Sequence, residues 1–203
     1  MRKVFLWNII LRDVDTTKYV SDDFQLEGMK FDYWMSYLIN MNIEENDNIA
    51  VITSYTAGGS AENNYNDFKK EVMEIAADKN VTVDFIPVVQ DVDFSATTFN
   101  KFFKKIAGFI KDDDRLYFDI TFGMKPYTLS MFTALLYVSK VARNVYVEVI
   151  TYAQKYNGIK AVDQVNESKI YNLTALFYLN SIAGSLTEGD RETADKMLDV
   201  LLR

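Results

Sequence analysis

The chain contains no cysteine and no histidine. That double absence removes several kinds of chemistry at once. No zinc site built from Cys and His is possible. No Ser-His-Asp or Cys-His nucleophile system can be assembled, and there is no imidazole to act as a general base. Disulfides are excluded, which fits a cytoplasmic protein. Glycine-rich nucleotide fingerprints are also missing. There is no G-x-G-x-x-G, and Gly123 has no partner glycine at Walker A spacing. No stretch is rich in Pro, Gly or Ser, so no linker divides the chain, and there is no internal repeat. The N-terminal apolar run 4–11, broken by Asn8, is too short for a signal peptide or a membrane span.

What is present suits one α/β domain with a small appendage: 203 residues, a formal net charge of −7, and enough apolar residues for a full core. The acidic balance argues against a broad DNA-binding surface. It leaves room for a small anion in one local pocket.

Strand and helix patterns alternate along the chain. Strand patterns cover 4–11, 49–54, 81–89, 116–120 and 145–152, and the first is apolar enough to lie centrally in a parallel sheet. Helical patterns cover 24–41, 66–79 (capped by Asn63 or Asn64), 95–112, a segment from Pro126 to Arg143, 171–186 and 191–202. The segment 155–169 reads as a polar connection. This order predicts a Rossmann-like parallel sheet flanked by helices, with a C-terminal helical pair. The division is 1–155 for that domain and 156–203 for a hairpin and helical extension.

In such a sheet, ligands bind outside the carboxyl ends of the strands. Three stretches fall there. The first is the polar segment 12–23, where Arg12 and Lys18 are candidate phosphate contacts and Tyr19 a candidate stacking surface. The second is the turn of Tyr55, Gly58, Gly59 and Ser60. The third is 115–136, RLYFDITFGMKPYTLSMFTALL. There a strand ends at Asp119 and runs through Thr121, Phe122, Gly123 and Lys125 into a helix with Pro126 at its start. A helix N-terminus offers free N–H groups and a partial positive charge, to which Lys125 adds a full one. Asp13, Asp15, Asp91 and Asp93 carry a weaker magnesium reading, since acidic edge loops are more often simply solvated. Lys101, Lys104, Lys105 and Lys111 read as the solvated face of a helix.

Residues 118–125, FDITFGMK, resemble the D-x-T-x-G-x-[KR] signature of CRISPR-associated Rossmann-fold (CARF) domains, the sensors of type III CRISPR systems. Downstream, VYVEVITYA at 145–153 resembles the family's next strand, and KIYNLTALFYLNSIAGSLTEGD at 169–190 its "pIyDLTpffel…f…GD" segment. The likeness is sharp over 116–190 and architectural before that. It implies a homodimer that binds a cyclic oligoadenylate across its two-fold axis. In that picture Asp119 orients the turn, Thr121 contacts ribose or phosphate, Gly123 allows close backbone approach, Lys125 neutralises phosphate, and Phe122 stacks or packs. It also implies an effector, on a separate chain or missing from this one. A HEPN ribonuclease of the Arg…His kind is not in this chain. Two alternatives stand beside the sensor. One is a metal-independent ring nuclease, with Thr121 and Lys125 as catalytic candidates and Thr121, Tyr55 and Ser60 as possible orienting groups. The other is a generic nucleotide-binding module. No cofactor and no metal are expected in any of the three.

Overall fold

A computed structural model describes residues 1–12, 14–26, 30–91, 93–155, 166–184 and 191–201. The elements are β1 (Lys3–Asn8), β2 (Thr17–Val20), β3 (Lys30–Phe31), α1 (Trp34–Asn42), β4 (Asn48–Thr56), α2 (Gly59–Asp78), β5 (Thr82–Gln90), α3 (Ala96–Phe109), β6 (Arg115–Asp119), α4 (Lys125–Val141), β7 (Tyr146–Lys155), β8 (Asn166–Asn172), α5 (Thr174–Ala183) and α6 (Arg191–Leu201). They build an α/β fold on one eight-stranded, mostly parallel sheet of order β3-β2-β8-β7-β6-β1-β4-β5. Five strands, β5-β4-β1-β6-β7, run parallel and form the Rossmann-like core. Then the direction reverses. β8 is antiparallel to β7, β2 is parallel to β8, and β3 is antiparallel to β2.

β1 lies at the centre because every one of its residues is buried. Its alternate side chains feed two cores. Phe5 and Trp7 pack under α1 and α2, while Val4 and Leu6 pack under α3 and α4. Helices on both faces leave a parallel sheet nowhere exposed, which is why its inner strands read as continuous apolar runs.

Three sequence expectations change. The segment 12–23 is not all loop, because it contains β2. There Thr17 and Tyr19 are buried and Lys18 is exposed, the period-two pattern of a strand. The first helix starts at Trp34 rather than at residue 24. Ser21 Oγ accepts from Asp23 N (3.0 Å) and Phe24 N (3.3 Å), holding a turn there. Tyr171 belongs to β8, and Asn172 ends that strand by accepting from Thr174 N and Oγ1 at 3.0 and 2.6 Å. β8 joins the main sheet, so residues 166–172 are built into the same layer as the core strands. Gly158 and the Gly189-Asp190 pair lie outside the described residues.

A buried ion pair ties the sheet's lower end together. Arg2 donates to both carboxylate oxygens of Asp114 (3.0 and 2.6 Å) and to Phe109 O (2.8 Å). Asp114 is buried and also accepts from Lys111 N at 2.7 Å. One carboxylate thus joins β1, the end of α3 and the start of β6. Asp114→Ala leaves the Arg2 guanidinium without its partner, and breaking such a pair costs about 3–5 kcal/mol. Urea unfolding should show a loss of that size; a loss below about 1 kcal/mol would show that the pair holds nothing.

Candidate functional site

β1 and β6 are neighbours in the sheet, and the chain leaving each of them runs to the same side, from β6 to the adjacent β7 and from β1 to β2, beyond β8. The carboxyl ends of such strands are where a ligand crevice is expected. The turn after β6 is built around Asp119, which is almost fully buried. Its Oδ1 accepts from Thr121 N (3.0 Å), and its Oδ2 accepts from the hydroxyls of Thr121 and Thr151 (both 2.8 Å). Each hydroxyl is itself held by an N–H. Ala153 N donates to Thr121 Oγ1 at 2.7 Å, and Trp34 Nε1 donates to Thr151 Oγ1 at 2.9 Å. The chain of donors runs one way, so Oδ2 must accept. Burial nonetheless pushes the Asp119 carboxyl up to about 6, outweighing the three hydrogen bonds that favour its charged form.

Gly123 has φ of +94°, and a Cβ there would lie 2.4 Å from Asn8 Cβ. The close approach that this glycine permits is therefore to the protein's own β1. Asn8 is buried. It donates to Thr128 Oγ1 (3.1 Å) and accepts from Gln90 Nε2 (3.3 Å). It joins the ends of β1 and β5 to the first turn of α4.

Beside the turn lies a cleft of about 390 Å³. To reach β2, the chain leaving β1 must pass above β6 and β7, and Ile10, Arg12, Val14 and Asp15 of that passage line one wall. Asn64, on α2, holds the passage in place by donating to Ile10 O (2.8 Å) and Arg12 O (2.9 Å). It is not the cap expected from sequence. The helix begins earlier, at Gly59. Aromatic side chains form much of the lining: Tyr19, Tyr33, Trp34, Phe122 and Tyr152. Tyr19 is tilted against Trp34 at 5.3 Å, and its hydroxyl donates to Asp32 O at 3.3 Å. The charged lining groups are Arg12, Asp15 and Asp32.

The expected site residues divide. Arg12, Tyr19, Thr121 and Phe122 come together in the cleft. Lys125 is exposed at the first position of α4, and among the described residues it has no hydrogen-bond or ion-pair partner. Lys18 is not among the residues lining the cleft: it is exposed in the alternation of β2 and lies 3.8 Å from Glu167. Tyr55 stacks on Tyr65 at 4.9 Å. Gly59 and Ser60 form the first turn of α2, and Gly58 N is taken by Glu62 Oε2 at 3.2 Å. The second Gly-bearing loop thus already has its anion, supplied by the chain itself. α4 has no acidic residue in its first turn and no side-chain cap. Of the aspartates with a magnesium reading, Asp13 lies outside the described residues. Asp93 accepts from Ser95 N and Oγ at 3.1 and 2.8 Å ahead of α3, and among the described residues no acidic cluster is arranged to hold a metal. Asp32, Gln154 and Ser168 were not foreseen. They reach the cleft through β3, β7 and β8, whose pairing no local pattern announces.

The fold is Rossmann-like, with an aromatic-lined cleft beside the turn that follows β6. No family model matches the chain, and no curated protein does.

Two outcomes follow for the turn. Gly123→Ala forces an unfavourable φ and a clash with Asn8, together roughly 2–4 kcal/mol of lost stability by denaturant unfolding; an unchanged midpoint would mean that the turn has another conformation available. Asp119 titrates higher when folded than when unfolded, so its contribution is full below the unfolded value and is lost as pH rises through about 6. Measured against Asp119→Asn, the wild type should therefore lose relative stability between pH 4 and 7 and level off above. A flat difference would overturn the dominance of burial.

Proposed function

We propose that this protein is a CARF-type sensor that binds a cyclic oligoadenylate across a homodimer in type III CRISPR signalling. The observation that carries the reading is the turn after β6. It sets Thr121 and Phe122 into an aromatic cleft and, four residues after Thr121, leaves an unpaired Lys125 at a helix N-terminus without an acidic neighbour. Charge sorts the ligand between these two places. The cleft lining carries two carboxylates against one guanidinium, which suits a planar base with amino donors better than a phosphate. The phosphates belong outside, at Lys125 and the positive end of α4, with Arg12 at the wall between. A volume of about 390 Å³ is at the small end for a ligand pocket, room for one base and its ribose rather than a whole ring. A ring therefore needs a second cleft from a second copy.

The Thr121 hydroxyl accepts from Ala153 N and donates to Asp119, which supports its reading as an orienting group for the turn. Cleavage, where it occurs, rests on the alignment of a ribose 2′-hydroxyl with its phosphate and on Lys125 stabilising the charge that develops.

The test is incubation of the purified chain with radiolabelled cyclic tri-, tetra- and hexa-adenylate without metal, read by native gel and product chromatography. We expect one ring to be retained, and Lys125→Ala to weaken it about tenfold or more, the loss of one charge-assisted contact. Intact ligand identifies a sensor, and linear products identify a ring nuclease. Retention of adenosine monophosphate but of no ring would leave a generic nucleotide module, and no retention of any probe would overturn the reading.

A further inference from the structure

β6 ends at Asp119, opposite Thr151, but β7 runs on to Lys155. From Tyr152 onward β7 is paired by β8 alone, and its other edge faces the turn that carries Thr121. Through that gap the cleft reaches both faces of the sheet. Ala153, in its lining, packs into the core beneath α1. Tyr152, in the same lining, leaves the sheet on the opposite face, as successive strand residues do. Ile150, two residues before it, packs into the core beneath α4, so Tyr152 stands on the α4 side, where Lys125 begins that helix.

Directly across the strand pair from Tyr152 is Tyr171. The rings are nearly parallel, 26° apart in plane with centroids at 6.4 Å. Tyr152 is 39% exposed, and Tyr171 is partly exposed. A cross-strand aromatic pair supports an antiparallel ribbon by itself. Three features here go beyond such support. The Tyr171 hydroxyl donates to Gln154 Oε1 at 3.0 Å, and Gln154 lines the cleft, so ring and cleft wall are held in one arrangement. Lys169 Nζ lies 5.7 Å from the centre of the Tyr171 ring, but Asp22 takes its charge at 2.6 Å. What the pair offers a ligand is therefore ring face rather than charge. Last, the pair begins where the cleft ends, at Tyr152, and the cleft has room for only one base and its ribose.

We propose that Tyr152 and Tyr171 form a ledge on which a second base stacks, so that one copy of the chain holds a dinucleotide. The first base enters the cleft, the phosphate that follows it lies at the Lys125 end of α4, and the second base lies on the rings. The ledge rests on the nucleotide reading of the cleft given above. It needs no second copy of the chain. Stacking of this kind uses the π-face that every base has, so the ledge adds affinity while the carboxylates of the cleft do the selecting.

The probes are adenylyl-3′,5′-adenosine and the same compound with an abasic second ribose, each titrated into the purified chain by calorimetry. Both carry the first base and one phosphate, and they differ only in the second base. Base–aromatic stacking strengthens binding by roughly five- to hundredfold per base. We expect that ratio in the wild type, with one dinucleotide bound per chain. Tyr171→Leu keeps apolar bulk on β8 without a ring, and should bring the ratio close to one. Tyr171→Phe loses only the hydroxyl, and should keep most of it. Equal binding of the two probes by the wild type would overturn the ledge and leave the cleft reading standing. A preference that survives Tyr171→Leu would also overturn it, since the second base would then lie elsewhere. Binding of neither probe would overturn the ledge and the nucleotide reading of the cleft together.

Discussion

The site depends on one buried carboxylate. Asp119 closes β6, gathers two threonine hydroxyls and a backbone N–H, and through Thr151 is linked to Trp34 at the head of α1. The end of β6, β7 and the head of α1 are tied together through this carboxylate and the Thr151 hydroxyl. Burying such a group is unfavourable unless its acceptor sites are filled, and partly filled networks are worse than none. The network therefore specifies the turn closely. Thr121 has one productive rotamer here, and the backbone after it is directed toward Gly123 and α4. The position of Phe122 in the cleft and of Lys125 at the helix start both follow from this.

The same network explains what was legible in the sequence. The five core strands could be read because a sheet covered on both faces writes itself as apolar runs, as in β1 and β4. β2, β3 and β8 could not. They are short or polar, and they exist as strands through partners far away in the chain: Thr17 opposite Asn166, and Tyr171 opposite Tyr152. The motif around Asp119 stood out because its residue types are local and in order. The role of Gly123 was legible as a need for space, but not what fills the space, since Asn8 lies more than a hundred residues earlier. The face that Lys18 takes was not legible for a related reason: without knowing that its segment is a strand, nothing says which way it turns.

Charge placement separates the two Gly-bearing turns, which look alike in sequence. At α2, Glu62 comes back to the N–H of Gly58 and fills the position an anion would take. At α4 the equivalent place carries Lys125 and no carboxylate. A chain with net charge −7 repels anions at long range, but within a Debye length, about 8 Å in physiological salt, the local arrangement dominates. Binding a polyanion is thus not in conflict with the overall acidity. The acidity instead penalises diffuse association and leaves the α4 end as the favoured place.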